Sequence, residues 1–142
     1  MYKEEKSLLG RRFFQIAAVY FVIGVLLGLT MGIIQDFRLT STHAHLNLLG
    51  WVSMAIFAAF YHFYPKAAET KLAKTHFWLH NICVPVMQGA LAIEILTENT
   101  AIIPVVIVAS IALIIGVILF AINVFSATSS ASAASSKSNI SA

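Results

Sequence analysis

The sequence predicts an all-helical integral membrane protein built as a bundle of four transmembrane helices. The chain has 142 residues, of which 59% are hydrophobic and 11% are charged, and its mean hydropathy is +0.86. Soluble domains carry about a quarter charged residues, so this chain cannot cover itself with polar surface. Its apolar residues fall into four blocks, each close to the roughly 20 residues that cross a bilayer. The loops between them are short, which favours antiparallel neighbours in an up-down bundle.

Polar residues and helix breakers separate the four apolar blocks. The predicted helices cover 13–34, 43–64, 77–96 and 102–125. Together they form one transmembrane domain over 1–125, and the Ser/Ala-rich tail over 126–142 is predicted to be disordered and to hold no site. The first block is too long for the apolar part of a signal peptide, and no small-residue cleavage site follows it. We therefore expect it to be a true spanning helix.

Lysine and arginine residues mark the expected orientation. They cluster before the first helix and in the loop between the second and third, at Lys3, Lys6, Arg11, Arg12, Lys66, Lys71 and Lys74, with Lys137 in the tail. The positive-inside rule then places both termini and the second loop in the cytoplasm, as in a bacterial inner membrane. A net charge of +3 arranged in this way indicates membrane lipid as the partner and no nucleic acid.

Two histidines at the start of the second helix form the first candidate site. His43 and His45 are two residues apart, about 200° around a helix, so they point in nearly opposite directions. They cannot chelate one small ion, but each could give one nitrogen to a planar cofactor on its own side, as an axial ligand to heme does. Asn47 lies one turn after His43 and could hydrogen-bond the ring or the cofactor. Spacing alone leaves open that the two histidines are only solvated at the membrane interface.

The remaining histidines form a second group near the other membrane face. His43 and His62 are separated by about 28 Å along the helix at roughly 1.5 Å per residue, so the two groups cannot share a ligand within one chain. His76 and His80 are spaced i,i+4 and could clamp a metal, although no third ligand is apparent. We expect instead that His76 and His80 anchor the chain in an interfacial belt with Trp78, and we expect the same role for His62.

Several other residues inside the helices suggest close packing. Gly24, Gly28 and Gly32 form a stripe of small residues on the first helix, which lets another helix approach closely. Gln88 and Asn123 are predicted to form interhelical hydrogen bonds. Cys83 is the only cysteine, so no disulfide can form within the chain.

The second and third helices resemble two consecutive helices of heme-copper oxidase subunit I. The run HAHLNLLGW over 43–51 is followed by Phe57, Tyr61 and Pro65, and HFW follows at 76–78. This order is similar to the HxH helix and the next helix of cbb-type oxidases and nitric oxide reductases. The resemblance covers roughly a third of the chain, and the whole chain looks like one four-helix arc of that subunit.

The resemblance implies that His43 and His45 are axial ligands to two different hemes, with b-type heme the expected form. The family's copper-binding histidines have no counterpart, so copper is not supported, and one chain lacks the full oxidase ligand set. Whether the chain is an enzyme is therefore left open.

Symmetry offers a way to complete the ligand set. The family subunit contains three such arcs, so three copies of this chain would form a similar ring, with each heme bound by His43 of one chain and His45 of the next. We expect a membrane heme protein of cytochrome type that transfers electrons or senses a gas, with a redox partner in the first case. The alternatives are a subunit of an oxygen or nitric oxide reductase, and a cofactor-free structural or assembly protein.

Overall fold

The computed structural model describes residues 7–140, with side chains described as far as residue 129. Its main elements are four long helices, and the described part of the chain contains no strand. We label them α1 (Leu8–Ile34), α2 (Thr40–Phe63), α3 (Lys71–Thr97) and α4 (Ile103–Ile140). A helical turn over Pro65–Ala68 connects α2 to α3, and a 3-10 turn over Thr100–Ile102 leads into α4.

All four helices are long and apolar enough to cross a membrane. Large apolar side chains such as Val22, Leu26 and Ile118 face outward. Soluble proteins rarely expose a continuous apolar surface of this kind to water. The predicted all-helical class, with four helices of the length and hydropathy that a membrane span needs, is therefore confirmed. Of the residues used to predict orientation, Lys3 and Lys6 lie outside the described residues, and only the backbone of Lys137 is described.

Capping side chains set where α1 and α3 begin, and both helices start earlier than predicted. The Ser7 hydroxyl accepts a hydrogen bond from the backbone N–H of Gly10 at 3.2 Å, and the Thr70 hydroxyl accepts one from Ala73 at 3.1 Å. Such caps satisfy N–H groups that the helix itself leaves free. Both helices end at a residue with left-handed backbone, Gln35 at φ 54° and Glu98 at φ 56°.

The last helix differs from the prediction at its C-terminal end. Its backbone continues past Phe125 to Ile140, through most of the segment predicted to be disordered. Alanine is the strongest helix former and serine is only moderately unfavourable, so the composition of this segment is compatible with helix as well as with a tail.

The second helix is interrupted by π-helical backbone. Its first part, Thr40–His45, is α-helical, Leu46–Val52 is π-helical, and Ser53–Phe63 is α-helical again. The π-helical segment packs along α1, where Gly50 lies against the ring of Tyr20 so closely that a Cβ would come within 2.5 Å of Tyr20 Cγ. A π-helical insertion of this kind is uncommon and often accompanies a functional site.

The bundle consists of two helix pairs joined by a layer of rings. The α1 helix packs along α2, and α3 packs along α4. Between the pairs lies a core whose fully buried members include Phe13 and Tyr61. The ring of Phe13 contacts Phe57 at a centroid distance of 5.5 Å and Phe77 at 5.0 Å, so side chains from α1, α2 and α3 meet in one layer.

Candidate functional site

The imidazole of His43 packs into the glycine stripe of α1. Its Nδ1 lies 3.0 Å from the carbonyl oxygen of Gly24. A Cβ on Gly28 would come within 2.7 Å of the ring carbon Cε1 of His43, whereas nothing lies within 4 Å of a Cβ on Gly32. The stripe predicted from the sequence therefore makes room for a half-buried histidine at Gly24 and Gly28, and Gly32 faces open space.

Asn47 occupies the next turn of α2 beside His43. Its amide nitrogen donates to the backbone carbonyl of His43 at 2.9 Å and lies 3.5 Å from the Nδ1 of the His43 ring. A Cβ on Gly24 would come within 2.7 Å of the Asn47 amide. Asn47 thus fills the space beside the His43 ring, and its nearer hydrogen bond is to the backbone.

His45 is also half-buried, but it is bonded to its own helix. Its Nδ1 lies 2.8 Å from the carbonyl oxygen of Ser41 and 3.5 Å from the Ser41 hydroxyl. His43 is bonded to α1 and His45 to the preceding turn of α2, so the structure does not bring the two imidazoles together at one point.

In both imidazoles the hydrogen-bonded nitrogen is Nδ1. A carbonyl oxygen can only accept, so Nδ1 carries the proton in His43 and in His45. In a neutral imidazole the other nitrogen, Nε2, then holds the lone pair. Histidine ligands to metals are commonly held in this way, with one nitrogen bonded to a carbonyl and the other free to coordinate. The two residues therefore satisfy the chemical requirement for axial ligands.

The interpretation of His76 and His80 as interfacial anchors is wrong. Both side chains are completely buried in the ring layer, while the neighbouring Trp78 is 63% exposed. The Tyr61 hydroxyl lies 3.2 Å from Nδ1 of His76, and Nε2 of His80 donates to the carbonyl of Leu49 at 3.0 Å. Residues spaced i,i+4 share one face of a helix, and in α3 the face that carries both rings packs against the rest of the bundle. His62 is exposed, as its predicted anchoring role requires.

The part of the chain that the structure describes contains no group of three or more His, Cys, Asp or Glu side chains that could hold a metal ion. Cys83 is buried and unpaired with another cysteine.

Sequence reasoning missed four partners of the histidines. They are the hydroxyl of Tyr61 and the carbonyls of Leu49 in the π-helical segment, of Gly24 and of Ser41. The helical spacing of Phe57 and Tyr61 on α2 matches that of His76 and His80 on α3, which is a signal that the two faces meet. The carbonyl partners have no side-chain signature and could not be found in this way.

Comparison of the chain with models of protein families, with curated proteins and with solved structures gives no match. The similarity to heme-copper oxidase subunit I therefore stays a prediction that rests on the order of the HxH, LGW and HFW motifs.

Proposed function

We propose that the chain is a membrane heme protein of cytochrome type, in which His43 and His45 bind heme iron through Nε2. The observation that carries this proposal is the pair of carbonyl hydrogen bonds at Nδ1, from His43 to Gly24 and from His45 to Ser41. They hold both rings in the tautomer that a ligand to iron needs. Bound heme would supply reversible one-electron exchange at its iron, which suits electron transfer or the sensing of a diatomic gas.

The chain's own residues would hold the ligands in place. Gly28 provides the space for the ring of His43, and the carbonyl of Gly24 fixes its rotation. Asn47 closes one side of that ring. Because ligand orientation and basicity depend on such partners, these residues would act as positioning residues.

We further propose that three copies share the hemes. His43 is bonded to α1 and His45 to its own helix, and their spacing points them in nearly opposite directions. A heme held by His43 therefore needs its second histidine from elsewhere. In a closed cyclic trimer, His43 of one chain and His45 of the next would bind the same iron. The many outward apolar side chains of α1, such as Leu29, would cover the apolar edges of the porphyrin. Both termini would face the cytoplasm of a bacterial inner membrane, as the positive charges predict.

A cofactor-free packing role is the second candidate, and one observation favours it. The His43 ring already fits the groove at Gly24 and Gly28 and is hydrogen-bonded there. A polar contact between helices of this type also stabilises helix pairs in membranes without any ligand.

Titration of the detergent-purified protein with hemin separates the two candidates. The shared arrangement predicts saturation at one heme per chain in a particle with the mass of a trimer, and loss of binding in His43→Ala and in His45→Ala. The matched control is His62→Ala, which removes an exposed histidine of α2 and should bind as the wild type does. Absence of saturable binding by folded wild-type protein would leave the packing role.

A further inference from the structure

His76 and His80 are neighbouring rings in the ring layer, and each has one ring nitrogen without a hydrogen-bond partner in the part of the chain that the structure describes. The centroids of the His76 and His80 rings are 5.7 Å apart. Nε2 of His76 and Nδ1 of His80 are both buried, and neither has a hydrogen-bond partner among the described residues. A buried polar atom without a partner is costly, so two of them on adjacent rings indicate a bound molecule.

The carbonyl of Leu49 fixes the proton on His80. Nε2 of His80 lies 3.0 Å from that oxygen, and a carbonyl can only accept, so Nε2 carries the proton. In the neutral ring Nδ1 is then a lone pair that needs a donor. The missing partner of His80 must therefore offer a proton or an empty orbital.

The hydrogen bonds around Tyr61 and Asn123 indicate which nitrogen of His76 carries the proton. The amide of Asn123 accepts from Thr70 at its oxygen and donates to the carbonyl of Ala67 at its nitrogen. The Tyr61 hydroxyl lies 3.2 Å from Nδ1 of His76. Its single proton finds an acceptor there only when Nδ1 carries the lone pair, so we infer that the hydroxyl donates to Nδ1. Nε2 of His76 is then an N–H donor.

We propose that His76 and His80 bind one water molecule between Nε2 and Nδ1. The water would accept from Nε2–H of His76 and donate to Nδ1 of His80, which satisfies both atoms. The walls are aromatic, with the ring of Phe57 edge-on to His76 at 4.5 Å and to His80 at 5.0 Å. Two neutral nitrogens among such rings suit a neutral molecule better than a cation, which would lack a compensating carboxylate.

The bound water completes a hydrogen-bond chain that runs in one direction. It leads from Tyr61 through His76, the water and His80 to the carbonyl of Leu49. A backbone carbonyl has no proton to pass on, so the chain ends there and conducts no protons. Its effect is to tie α3 to the π-helical segment of α2 that follows the HxH motif, and it needs no heme.

Solid-state NMR of the full chain in lipid bilayers, with ¹⁵N-labelled histidine, tests this site. We expect His76 and His80 to carry their protons on Nε2 and to show magnetisation transfer from one water that does not exchange with bulk water during the mixing time. Tyr61→Phe should end the single-tautomer state of His76 while the His80 bond to Leu49 persists. The control variant His62→Phe should leave all four ring nitrogens unchanged.

Three results would overturn the proposal. One is a proton on Nδ1 of His80, and another is the absence of a water contact at either ring in folded protein. The third is copper or zinc that copurifies near one ion per chain and is lost in His76→Phe, which would make the pair a metal site. Proton flux into protein-containing vesicles that exceeds the flux into protein-free vesicles, and falls in Tyr61→Phe, would contradict the dead end at Leu49.

Discussion

The ring of His43 lies directly over Gly28, where a Cβ would come within 2.7 Å of the ring carbon Cε1. This contact links the small-residue stripe of α1 to the first histidine of the HxH motif. It also explains why glycine is needed at this position, since any side chain would occupy the space of the imidazole.

Gly28→Ala should displace His43 and weaken the packing of α1 on α2. Overpacking of this kind costs about 1–3 kcal/mol. Under the heme proposal, displacement of His43 should also lower the heme content of the purified protein. Gly32→Ala is the matched control, because nothing lies within 4 Å of a Cβ there. Detergent-unfolding curves and heme absorbance measure the two effects. Equal behaviour of the two variants would show that His43 does not depend on this contact.

Phe13→Ala should destabilise the bundle strongly. Phe13 is completely buried and contacts rings from α2 and α3. Removal of a buried phenylalanine ring leaves a cavity and costs about 3–5 kcal/mol. Phe14→Ala removes the neighbouring ring, which is 57% exposed, and should change the free energy of unfolding by no more than about 0.5 kcal/mol. A similar loss in both variants would mean that the ring layer is not the core.

Asn123→Ala should loosen the attachment of α4 to the turn between α2 and α3. The buried amide donates to the carbonyl of Ala67 at 2.9 Å and accepts from Thr70 at 3.2 Å. Loss of a buried hydrogen-bonding group costs about 1–3 kcal/mol. The neighbouring Ile122 is exposed, so Ile122→Ala should be close to neutral. Hydrogen exchange at Ala67 and its neighbours should rise only in the Asn123 variant, and unchanged exchange would contradict the role of this amide.

The ion pair in the loop between α1 and α2 should respond to acid in a defined window. Arg38 donates to the Asp36 carboxylate at 2.6 Å and lowers the Asp36 pKa to about 2 from its ordinary value of 3.8. Because this pKa is lowered in the folded chain, the pair's contribution to stability is complete above about pH 4 and is lost as the pH falls toward 2. Carboxyl ¹³C shifts should show this titration, and Arg38→Gln should return the Asp36 pKa toward 3.8. An unchanged midpoint in that variant would show that Arg38 is not the cause.

The helices could be predicted from sequence because each spans an apolar block of bilayer length. The glycine stripe could also be predicted as a contact, since small residues at i,i+4 spacing permit close approach, but not that His43 fills it. The burial of His76 and His80 was predicted wrongly, because histidines near Trp78 at a helix start resemble an interfacial belt. Their partners lie on α2, and one of them is the backbone carbonyl of Leu49. The π-helical segment could not be foreseen, since it depends on how α2 fits against Tyr20 and the rest of α1.

The most direct test of the heme proposal is a reduced-minus-oxidised visible spectrum of the detergent-purified protein, produced with a supply of heme. We expect sharp low-spin bands from bis-histidine iron in the wild type, their loss in His43→Ala and in His45→Ala, and their retention in His62→Ala. A flat spectrum from folded wild-type protein, or bands that survive both substitutions in the HxH motif, would contradict heme binding by these two histidines.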